Sequence, residues 1–529
     1  MSISTSSRNW WEQAVVYQIY PRSFADSDGD GVGDLRGVVS RLDHLSRLGV
    51  DAIWLSPIFE SPMADFGYDI SDHCRVDPLF GGDDDARLLI EEAHRRGIRV
   101  LFDLVLGHTS DRHRWFQASR QDRTNPYRDF YVWRDGPTPG RADGGPPNNW
   151  EAGFPAGARA WTFDDLSGQW YLHSHLPQQP DLNWENPIVA DEQERVLRFW
   201  LDAGIDGVRL DSINRLGKDP LLRDNAPGLP LRQQDWPNLH ERLVRVRSVL
   251  DKYPGTLAVG EVWLFDQQLL VPYLSDDELH LAHNFVFARA DADATGLAAI
   301  LSEFGDLVPD PGRAAWFVSN HDEPRPRSRF DRDGYGLQRA ELIAMLLASL
   351  RGTTFLYQGE ELGLADTPIP PDRVVDLNGR DPQRTPMPWR APSVSGPGAG
   401  FTTGRPWLPI TPDAEAMNVE SQRTDARSTL NLYRRLIGIR RDRLRAVTGR
   451  HLADVPVEGV LRVVNQVPAG RYETLLNFGV EGAVVPIPDG ARLLIGTDRD
   501  RRDVGPGRVE LGGLEGVMVE HRYSEVHER

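Results

Sequence analysis

The sequence predicts an α/β fold: a (β/α)8 TIM barrel with a small domain inserted after strand 3 and a C-terminal antiparallel β-domain. Three observations lead to this fold class. Eight short apolar runs occur along the chain, most of them are followed by helical spacing of apolar residues, and no glycine-rich dinucleotide fingerprint follows any run. Near-continuous apolar strands between helices indicate a parallel sheet covered on both faces, and eight such units indicate a closed barrel. The alternative, a doubly wound open sheet, lacks its fingerprint here.

The eight predicted strands are rich in β-branched and aromatic residues, as buried strands are. In chain order they are "VVYQIYPRSF" (15–24), "DAIWLSP" (51–57), "IRVLFDLVLGH" (98–108), "IDGVRLD" (205–211), "TLAVGEVW" (256–263), "LAHNFVF" (281–287), "AAWFVSNHD" (314–322) and "TTFLYQGEE" (353–361). Predicted helices between them include 35–50, "DDARLLIEEAHRRG", "DEQERVLRFWLDAG" and "NLHERLVRVRSVLDKY".

Two long gaps interrupt this alternation. Residues 109–178 are rich in Trp, Pro, Gly and Asp and are too many for a loop without structure of its own, so we predict an inserted domain B. The barrel, domain A, then comprises 1–108 and 179–445 and ends with a helix at 427–442. Short alternating segments in 446–529 predict a C-terminal β-domain.

The composition restricts the classes of molecule that this protein could bind. A formal net charge of −18 over 529 residues argues against nucleic acid and anionic membranes as partners. A single cysteine excludes a disulfide within the chain. The N-terminal residues show no signal-peptide pattern, and no apolar stretch reaches the length of a membrane span. We therefore expect a cytoplasmic protein, whose oligomeric state the sequence does not indicate.

An acidic, glycine-rich loop, "ADSDGDGVGDLRG" (25–37), follows the first predicted strand. Its spacing matches the oxygen ligands of an EF-hand loop, but Gly37 stands where the final bidentate glutamate belongs, and the flanks are a strand and a helix. A solvated acidic turn is the alternative to a metal site. We predict a metal site whose ligands are Asp26, Asp28, Asp30, Val32 (through its carbonyl) and Asp34.

Ionisable residues close several of the predicted strands. In a (β/α)8 barrel the C-terminal ends of the strands form the active site, and a buried charge there is costly unless it is paired. A structural ion pair would explain one such residue but not a cluster on one rim. The residues are Asp103, His108, Arg209, Asp211, Glu261, His321 and Asp322.

These residue types point to glycoside chemistry. The sequence has no G-x-S-x-G nucleophile elbow, no Walker loop and no HExxH zinc motif. Converging carboxylates can instead supply a nucleophile for an anomeric carbon and an acid for the leaving oxygen. A nearby arginine would keep one carboxylate ionised.

Several motifs occur in a recognisable order: "DLVLGH" (103–108), "QPDLNWENP" (179–187), "GVRLD" (207–211), "GEVW" (260–263), "VSNHD" (318–322) and "RTPMPW" (384–389). Together they resemble glycoside hydrolase family 13, the α-amylase superfamily, and within it the α-glucosidase and oligo-1,6-glucosidase branch. The resemblance covers almost the whole chain.

The resemblance implies a retaining mechanism through a covalent glucosyl-enzyme. Asp211 is then the nucleophile, Glu261 the general acid/base, and Asp322 the residue that holds sugar hydroxyls and distorts the ring. Arg209 orients and ionises Asp211. The substrate-binding residues implied are Tyr68, Asp69, His108, Arg209, His321 and Arg384.

The resemblance further implies that Tyr68 stacks on the glucose and that Asp69 pairs with Arg384 to grip the 4-hydroxyl. That pair would close the pocket and make the enzyme exo-acting. The acidic loop matches a metal loop of this branch, which implies structural Ca²⁺, with Mg²⁺ as the alternative. Gly107 replaces an asparagine that binds a separate calcium in α-amylases, and Ser212, where valine accompanies α-1,6 preference, favours α-1,4 substrates.

The expected function is therefore an exo-acting α-glucosidase that releases glucose from short, maltose-like α-glucosides. A glucosyltransferase or isomerase on the same fold (a trehalose synthase, sucrose isomerase or transglucosidase) would use the same carboxylates and is the first alternative. The second is a catalytically inactive barrel serving as a binding or transporter-associated subunit, which the presence of all three carboxylates disfavours.

Overall fold

Eight parallel strands close into a barrel in the computed structural model, which describes residues 9–522 except 155, 156, 309, 377, 448, 468 and 469. Each strand pairs with its neighbours in the chain, and the last pairs with the first. All eight predicted strands are confirmed, although each is shorter than its apolar run because the run continues into the rim loop. Numbered 1 to 8, they are Val15–Ile19, Ala52–Leu55, Arg99–Leu104, Gly207–Leu210, Leu257–Gly260, Leu281–His283, Ala314–Trp316 and Thr353–Tyr357.

Helices surround the barrel. The first begins at Leu35 because the carboxylate of Asp34 accepts the N–H of Gly37 at 2.7 Å, and it ends at Gly49, whose φ of 93° suits glycine. Within the described ranges, no helix combines the length and apolarity needed to span a membrane. The α-helices outside domain B are Leu35–Leu48, Asp83–Arg95, Pro187–Asp202, Asn238–Leu250, Gln267–Leu270, Phe285–Ala288, Ala294–Leu307, Pro326–Arg329, Gly336–Ser349, Pro392–Ser395, Val419–Thr424 and Thr429–Arg443.

A compact apolar cluster fills the barrel interior. It includes Val16 of strand 1, Trp54 of strand 2, Leu257 of strand 5 and Phe355 of strand 8, all of them buried. The indole N–H of Trp54 donates to Oδ2 of Asp103 at 3.2 Å, so the top of this cluster supports the polar residues above it. The barrel is thus a packed core with the site on its C-terminal rim.

The segment between strands 3 and 4 folds into a helix, Arg114–Gln121, and a three-stranded antiparallel sheet in the order Trp133–Arg134, Gln169–Leu172, Trp161–Asp164. Trp150, Trp161 and Trp170 are buried together in its core. These three indoles therefore serve packing, and the insertion contributes other residues to the barrel rim.

The C-terminal residues form an antiparallel sheet, as predicted. Its five strands run in the order Leu452–Val457, Val460–Val467, Gly470–Asn477, Gly516–Arg522 and Arg492–Gly496, and a separate pair joins Ala483–Pro486 to Arg508–Leu511. A short antiparallel ribbon, Phe59–Glu60 with Asp72–Val76, follows barrel strand 2 and flanks the site.

Candidate active site

Three carboxylates meet one buried arginine at the C-terminal rim. Asp103 and Arg209 lie side by side in adjacent strands, and Asp211 and Glu261 follow strands 4 and 5 directly. Arg209 Nη1 lies 2.8 Å from Oδ1 of Asp103 and 2.8 Å from Oδ1 of Asp211, and its Nη2 lies 2.9 Å from Oε2 of Glu261. Arg209 is 1% exposed, so these charge-assisted contacts are shielded from water.

Charge is not balanced in this cluster. Burial raises the pKa of Asp103 to about 6 and those of Asp211 and Glu261 to about 7, although Arg209 opposes each shift. Because one guanidinium cannot neutralise three buried carboxylates, the cluster retains a proton near neutral pH. An acid and a carboxylate can therefore coexist at this rim.

Ser212 fixes the orientation of Glu261. It has a left-handed backbone, φ 41° and ψ 43°, which is uncommon for a residue other than glycine. In this conformation its N–H donates to Oε2 of Glu261 at 2.8 Å and its hydroxyl donates to the same oxygen at 3.2 Å. Strained backbone of this kind persists where surrounding contacts determine it, as they do here.

Asp322, which follows strand 7, faces two arginines and a histidine. Oδ1 accepts from Arg384 at 2.7 Å and from Arg380 at 3.1 Å, while His321 Nε2 lies 3.1 Å from Oδ2. Burial would raise the pKa of Asp322, but His321, Arg380 and Arg384 together hold it well below its ordinary value. Asp322 is therefore ionised throughout the physiological pH range.

His321 is held between two tyrosines. Its ring stacks on Tyr68 at 5.3 Å and on Tyr20 at 5.8 Å between centroids. Burial lowers its pKa to about 3, so the imidazole is neutral. The Gln18 amide nitrogen lies 2.9 Å from Nδ1, which leaves Nε2 to donate to Asp322. The Tyr68 hydroxyl donates to Asp103 at 3.1 Å, so this stack is continuous with the carboxylate cluster.

The predicted pair between Asp69 and Arg384 is wrong. Asp69 is fully buried within its own loop, where its carboxylate accepts from Ser61 and from the backbone N–H groups of Ala64 and Asp65. Arg384 binds Asp322 and the carbonyl of His321 instead. A carboxylate that already caps a turn cannot also reach the pocket.

The pair that faces the pocket is Asp65 and Arg380. Arg380 Nη2 donates to Oδ1 of Asp65 at 2.7 Å, and Arg380 is further held by Asp376 at 2.9 Å. Each residue lies four positions before the one predicted. Both residues could be seen in the sequence, because Asp65 precedes Tyr68 by three positions and Arg380 precedes Arg384 by four. Spacing alone does not show which aspartate and which arginine face the pocket.

These groups line a pocket of about 500 Å³, a size typical of small-molecule sites. Tyr68, His108, Asp211, Glu261 and Asp322 were predicted to belong to the site and line it, whereas Arg209, His321 and Arg384 support it from behind. Ser212, which the sequence analysis linked to linkage preference, also lines the pocket. Lining residues that the sequence did not single out are Asp65, Gly153, Phe154, His175, Gln179, Arg215, Trp263, Arg289, Glu323, Asn378 and Arg380.

The acidic loop brings three of its five predicted ligands together. Carboxylate oxygens of Asp26, Asp28 and Asp34 lie within 4.8 Å of one another, a set of hard oxygen donors that fits Ca²⁺ or Mg²⁺. Asp30 lies outside this group and accepts the N–H of Val32 at 2.7 Å. Within the described residues a second group, His108, His175 and Asp211, is equally close but lies inside the pocket.

Comparison with protein-family models shows which family this chain belongs to. Residues 18–449, most of the chain, match the family model described as alpha amylase, catalytic domain. The chain belongs to the α-amylase family. It is a glycoside hydrolase family 13 enzyme, and the predicted resemblance is confirmed.

Two relatives are similar over most of their length. A protein named "probable alpha-glucosidase" from Rhizobium meliloti is 43% identical over 477 residues, covering 83% of this chain and 84% of the relative. The oligo-1,6-glucosidase of Parageobacillus thermoglucosidasius is 37% identical over 534 residues, covering 91% and 92%.

Three solved structures of this family share the whole architecture but differ in activity. They are the trehalose-6-phosphate hydrolase of Bacillus licheniformis (TM-score 0.89, 33% identity, covering 98% of this chain and 100% of that one), an alpha-glucosyl transfer enzyme (0.88, 38%, 98% and 100%) and the trehalulose synthase of Pseudomonas mesoacidophila MX-45 (0.90, 32%, 97% and 100%). The family therefore includes hydrolases, transfer enzymes and an isomerising synthase of the same architecture, and membership alone does not assign the acceptor.

Proposed function

We propose that this enzyme is a retaining, exo-acting α-glucosidase that releases glucose from the non-reducing end of short α-glucosides. The observation that carries the proposal is the position of Asp211 and Glu261 on the two terminal nitrogens of Arg209 at the pocket. A retaining glycosidase needs one carboxylate as nucleophile and a second, protonated one beside it.

In the first step an oxygen of Asp211 attacks the anomeric carbon and forms a covalent β-glucosyl ester. The bond from that carbon to the leaving oxygen breaks, and Glu261 transfers its proton to that oxygen. The raised pKa of Glu261 keeps this proton available near neutral pH. Arg209 binds the Asp211 carboxylate, so that it is ionised when Glu261 carries the proton.

In the second step Glu261, now a carboxylate, takes a proton from water. The water oxygen attacks the anomeric carbon, the ester bond to Asp211 breaks, and glucose leaves with its α configuration. Asp322, which is fixed and ionised by Arg380 and Arg384, is placed to bind sugar hydroxyls through this cycle. His108 and Tyr68 line the same pocket and complete the glucosyl site.

The Asp65–Arg380 pair supports exo action. It lies in the same pocket as Asp322, where it would block the path of a longer chain beyond the terminal glucose. Charged, fixed groups there can bind the terminal hydroxyl that only a non-reducing end presents. Ser212 beside Glu261 supports preference for α-1,4 linkages, in line with the sequence resemblance.

Two further properties belong to this proposal. Ca²⁺, or alternatively Mg²⁺, would be held by Asp26, Asp28 and Asp34, which are not among the residues that line the pocket, and would supply positive charge that ties the loop together. The loop contacts the segment after strand 8 because the Thr402 hydroxyl donates to Asp26. We also propose that the enzyme acts in the cytoplasm on soluble, small-molecule substrates.

A glucosyltransferase or isomerase is the second candidate, favoured by the transfer and isomerising enzymes among the similar structures. It differs only in whether water or a sugar hydroxyl resolves the glucosyl-enzyme. The pocket residues beyond Glu261, including Trp263 and Arg289, would decide this.

The test is a product time course with maltose, isomaltose, sucrose and trehalose given separately. Glucose as the main early product, fastest from maltose, supports the α-1,4 glucosidase. New disaccharides with little free glucose would replace the hydrolase with a transferase or isomerase. Asp211→Asn should abolish both activities, and an inert wild type would favour a binding protein.

A further inference from the structure

Arg215 differs from the other arginines at the pocket. It lies four residues after Asp211 on the turn Ile213–Leu216, lines the pocket and is 9% exposed. In the part of the chain that the structure describes, its guanidinium forms no ion pair and its Nη1 has no hydrogen-bond partner. Buried polar groups are almost always paired, so this one requires an explanation.

The other charged residues around Arg215 already have ion-pair partners. Arg380 binds Asp65, and Arg289 binds Glu323 at 2.6 Å. The carboxylates closest to Arg215 are engaged elsewhere as well. Asp181 lies 3.1 Å from Lys218, while Asp211 and Glu261 share Arg209.

Gly153 of domain B holds the Arg215 head group in place. A Cβ on residue 153 would lie 1.8 Å from Nη2 and 2.5 Å from Cζ of Arg215, so the guanidinium rests directly on the glycine backbone. That backbone is itself fixed, since the Gly153 N–H donates to the carbonyl of Ser174 at 2.8 Å. The position of the charge therefore depends on the absence of a side chain at 153.

We assign Arg215 to the leaving-group side of the pocket because its turn lies beside Glu261, the proposed acid. The turn that carries it is tied to the proposed acid, because the Ile213 N–H donates to the Glu261 carbonyl at 3.0 Å and Ser212 donates to the Glu261 carboxylate. The glucosyl side is formed by other residues, among them Asp65 and Arg380.

We propose that Arg215 is an anion-binding residue of the leaving-group subsite, so that the preferred α-glucosides carry a carboxylate or a phosphate on the leaving group. This inference rests on the proposed glucosidase function. A guanidinium presents paired N–H donors that match carboxylate and phosphate oxygens. In a site shielded from water, an anion bound there would balance the charge of the Arg215 guanidinium.

The experiment compares kcat/KM within two matched pairs of substrates. Maltose and maltobionate differ by a carboxylate on the leaving group, and trehalose and trehalose 6-phosphate differ by a phosphate. The first pair tests a carboxylate and the second a phosphate. We expect the wild-type enzyme to prefer the anionic member of at least one pair.

Three variants test whether Arg215 causes the preference for anionic substrates. R215Q should lower the anionic-to-neutral ratio by about tenfold or more, and G153A should do the same by displacing the guanidinium. R215K should retain part of the preference. R223Q is the matched control, because Arg223 is half-exposed, pairs with Asp219 and lies outside the pocket lining, so its ratio should equal that of the wild type.

Calorimetry can measure how tightly maltobionate and maltose bind to the Asp211→Asn variant. This readout does not need turnover. R215Q in that background should weaken maltobionate binding and leave maltose binding less affected. The inference is overturned if kcat/KM for each neutral substrate equals or exceeds that for its anionic counterpart. It is also overturned if R215Q leaves the anionic-to-neutral ratio of kcat/KM unchanged. If none of the four sugars is hydrolysed, the glucosidase proposal fails, and the calorimetric comparison still decides the role of Arg215.

Discussion

Arg380 joins two carboxylates of the pocket through one guanidinium. Its Nη2 lies 2.7 Å from Asp65 and its Nη1 lies 3.1 Å from Asp322. The guanidinium also lies over the ring of Phe154, 4.3 Å from its centroid. A single residue thus links Asp65, Asp322 and the inserted domain.

We expect R380Q to lower kcat/KM for maltose by about a hundredfold, because it removes charge-assisted hydrogen bonds to two carboxylates and leaves both less well oriented. D65N should have a smaller effect in the same direction. R390Q is the control, since Arg390 pairs with Glu420 where both are more than half exposed. Initial rates measured over a range of maltose concentrations give the comparison.

The neighbouring Asp69 should behave differently. D69N should lower the free energy of unfolding by about 1–3 kcal/mol, because it disturbs a buried carboxylate that accepts two backbone N–H groups. Its kcat/KM, measured on the folded protein, should fall far less than that of R380Q. If D69N and R380Q exchanged these effects, Asp69 rather than Asp65 would belong to the pocket.

The contrast between Asp65 and Asp69 shows what sequence could supply. The apolar runs predict the barrel strands and where each strand ends. Asp211, Glu261 and Asp322 could therefore be assigned to the rim from the sequence. The Asp65–Asp69 loop has no such periodicity. Which aspartate caps the turn and which faces outward depends on hydrogen bonds to Ser61 and on an arginine more than 300 positions away in the chain.

The contact between Arg215 and Gly153 could not be predicted from sequence motifs either. Arg215 and Gly153 come from different domains and meet only because strand 4 ends where domain B folds back over the rim. Neither residue type is diagnostic by itself. Their contact depends on how two loops pack against each other, and loop packing cannot be predicted from the periodicity of apolar residues.

The pH dependence of kcat/KM should be bell-shaped and centred near neutral pH. The first step of the proposed mechanism needs Glu261 protonated. Because burial raises the pKa of Glu261 to about 7, activity should fall as pH rises through this value. The same step needs Asp211 ionised, and burial raises its pKa as well, so activity also falls on acidification. Maltose hydrolysis followed from pH 5 to 9 at constant ionic strength would show both limbs.

E261Q separates the two limbs. It should remove the alkaline limb and lower kcat on maltose by about 10²–10⁴, the usual contribution of a general acid. A nitrophenyl α-glucoside, whose leaving group needs no proton, should lose much less in the first step. Azide should restore turnover with α-glucosyl azide as product. An unchanged alkaline limb in E261Q would assign that limb to another group.

Chelation should affect stability more than catalysis. We expect EDTA to lower the melting temperature by a few degrees, because an ion present at a hundred times its Kd stabilises the folded state by about 2.7 kcal/mol. D28N should abolish this effect, since Asp28 is one of the three close carboxylates. Activity at 25 °C should change little, and loss of turnover without loss of stability would contradict a structural role.

Ser212 gives the sharpest test of linkage preference. Its hydroxyl lies 3.2 Å from Oε2 of Glu261, so a side chain here contacts the proposed general acid. S212V should lower the ratio of kcat/KM for maltose to that for isomaltose, because a branched apolar group replaces the small hydroxyl. S212A, which removes the hydroxyl without adding bulk, should keep the wild-type preference.

The backbone at this position adds a second expectation for S212V. A β-branched residue at a φ of 41° is strained by about 1–3 kcal/mol, so the variant should unfold at lower urea concentration than S212A. The kinetic ratio must therefore be measured where both variants are folded. Equal shifts in the two variants would show that the hydrogen bond to Glu261, and not the size of the side chain, sets the linkage preference.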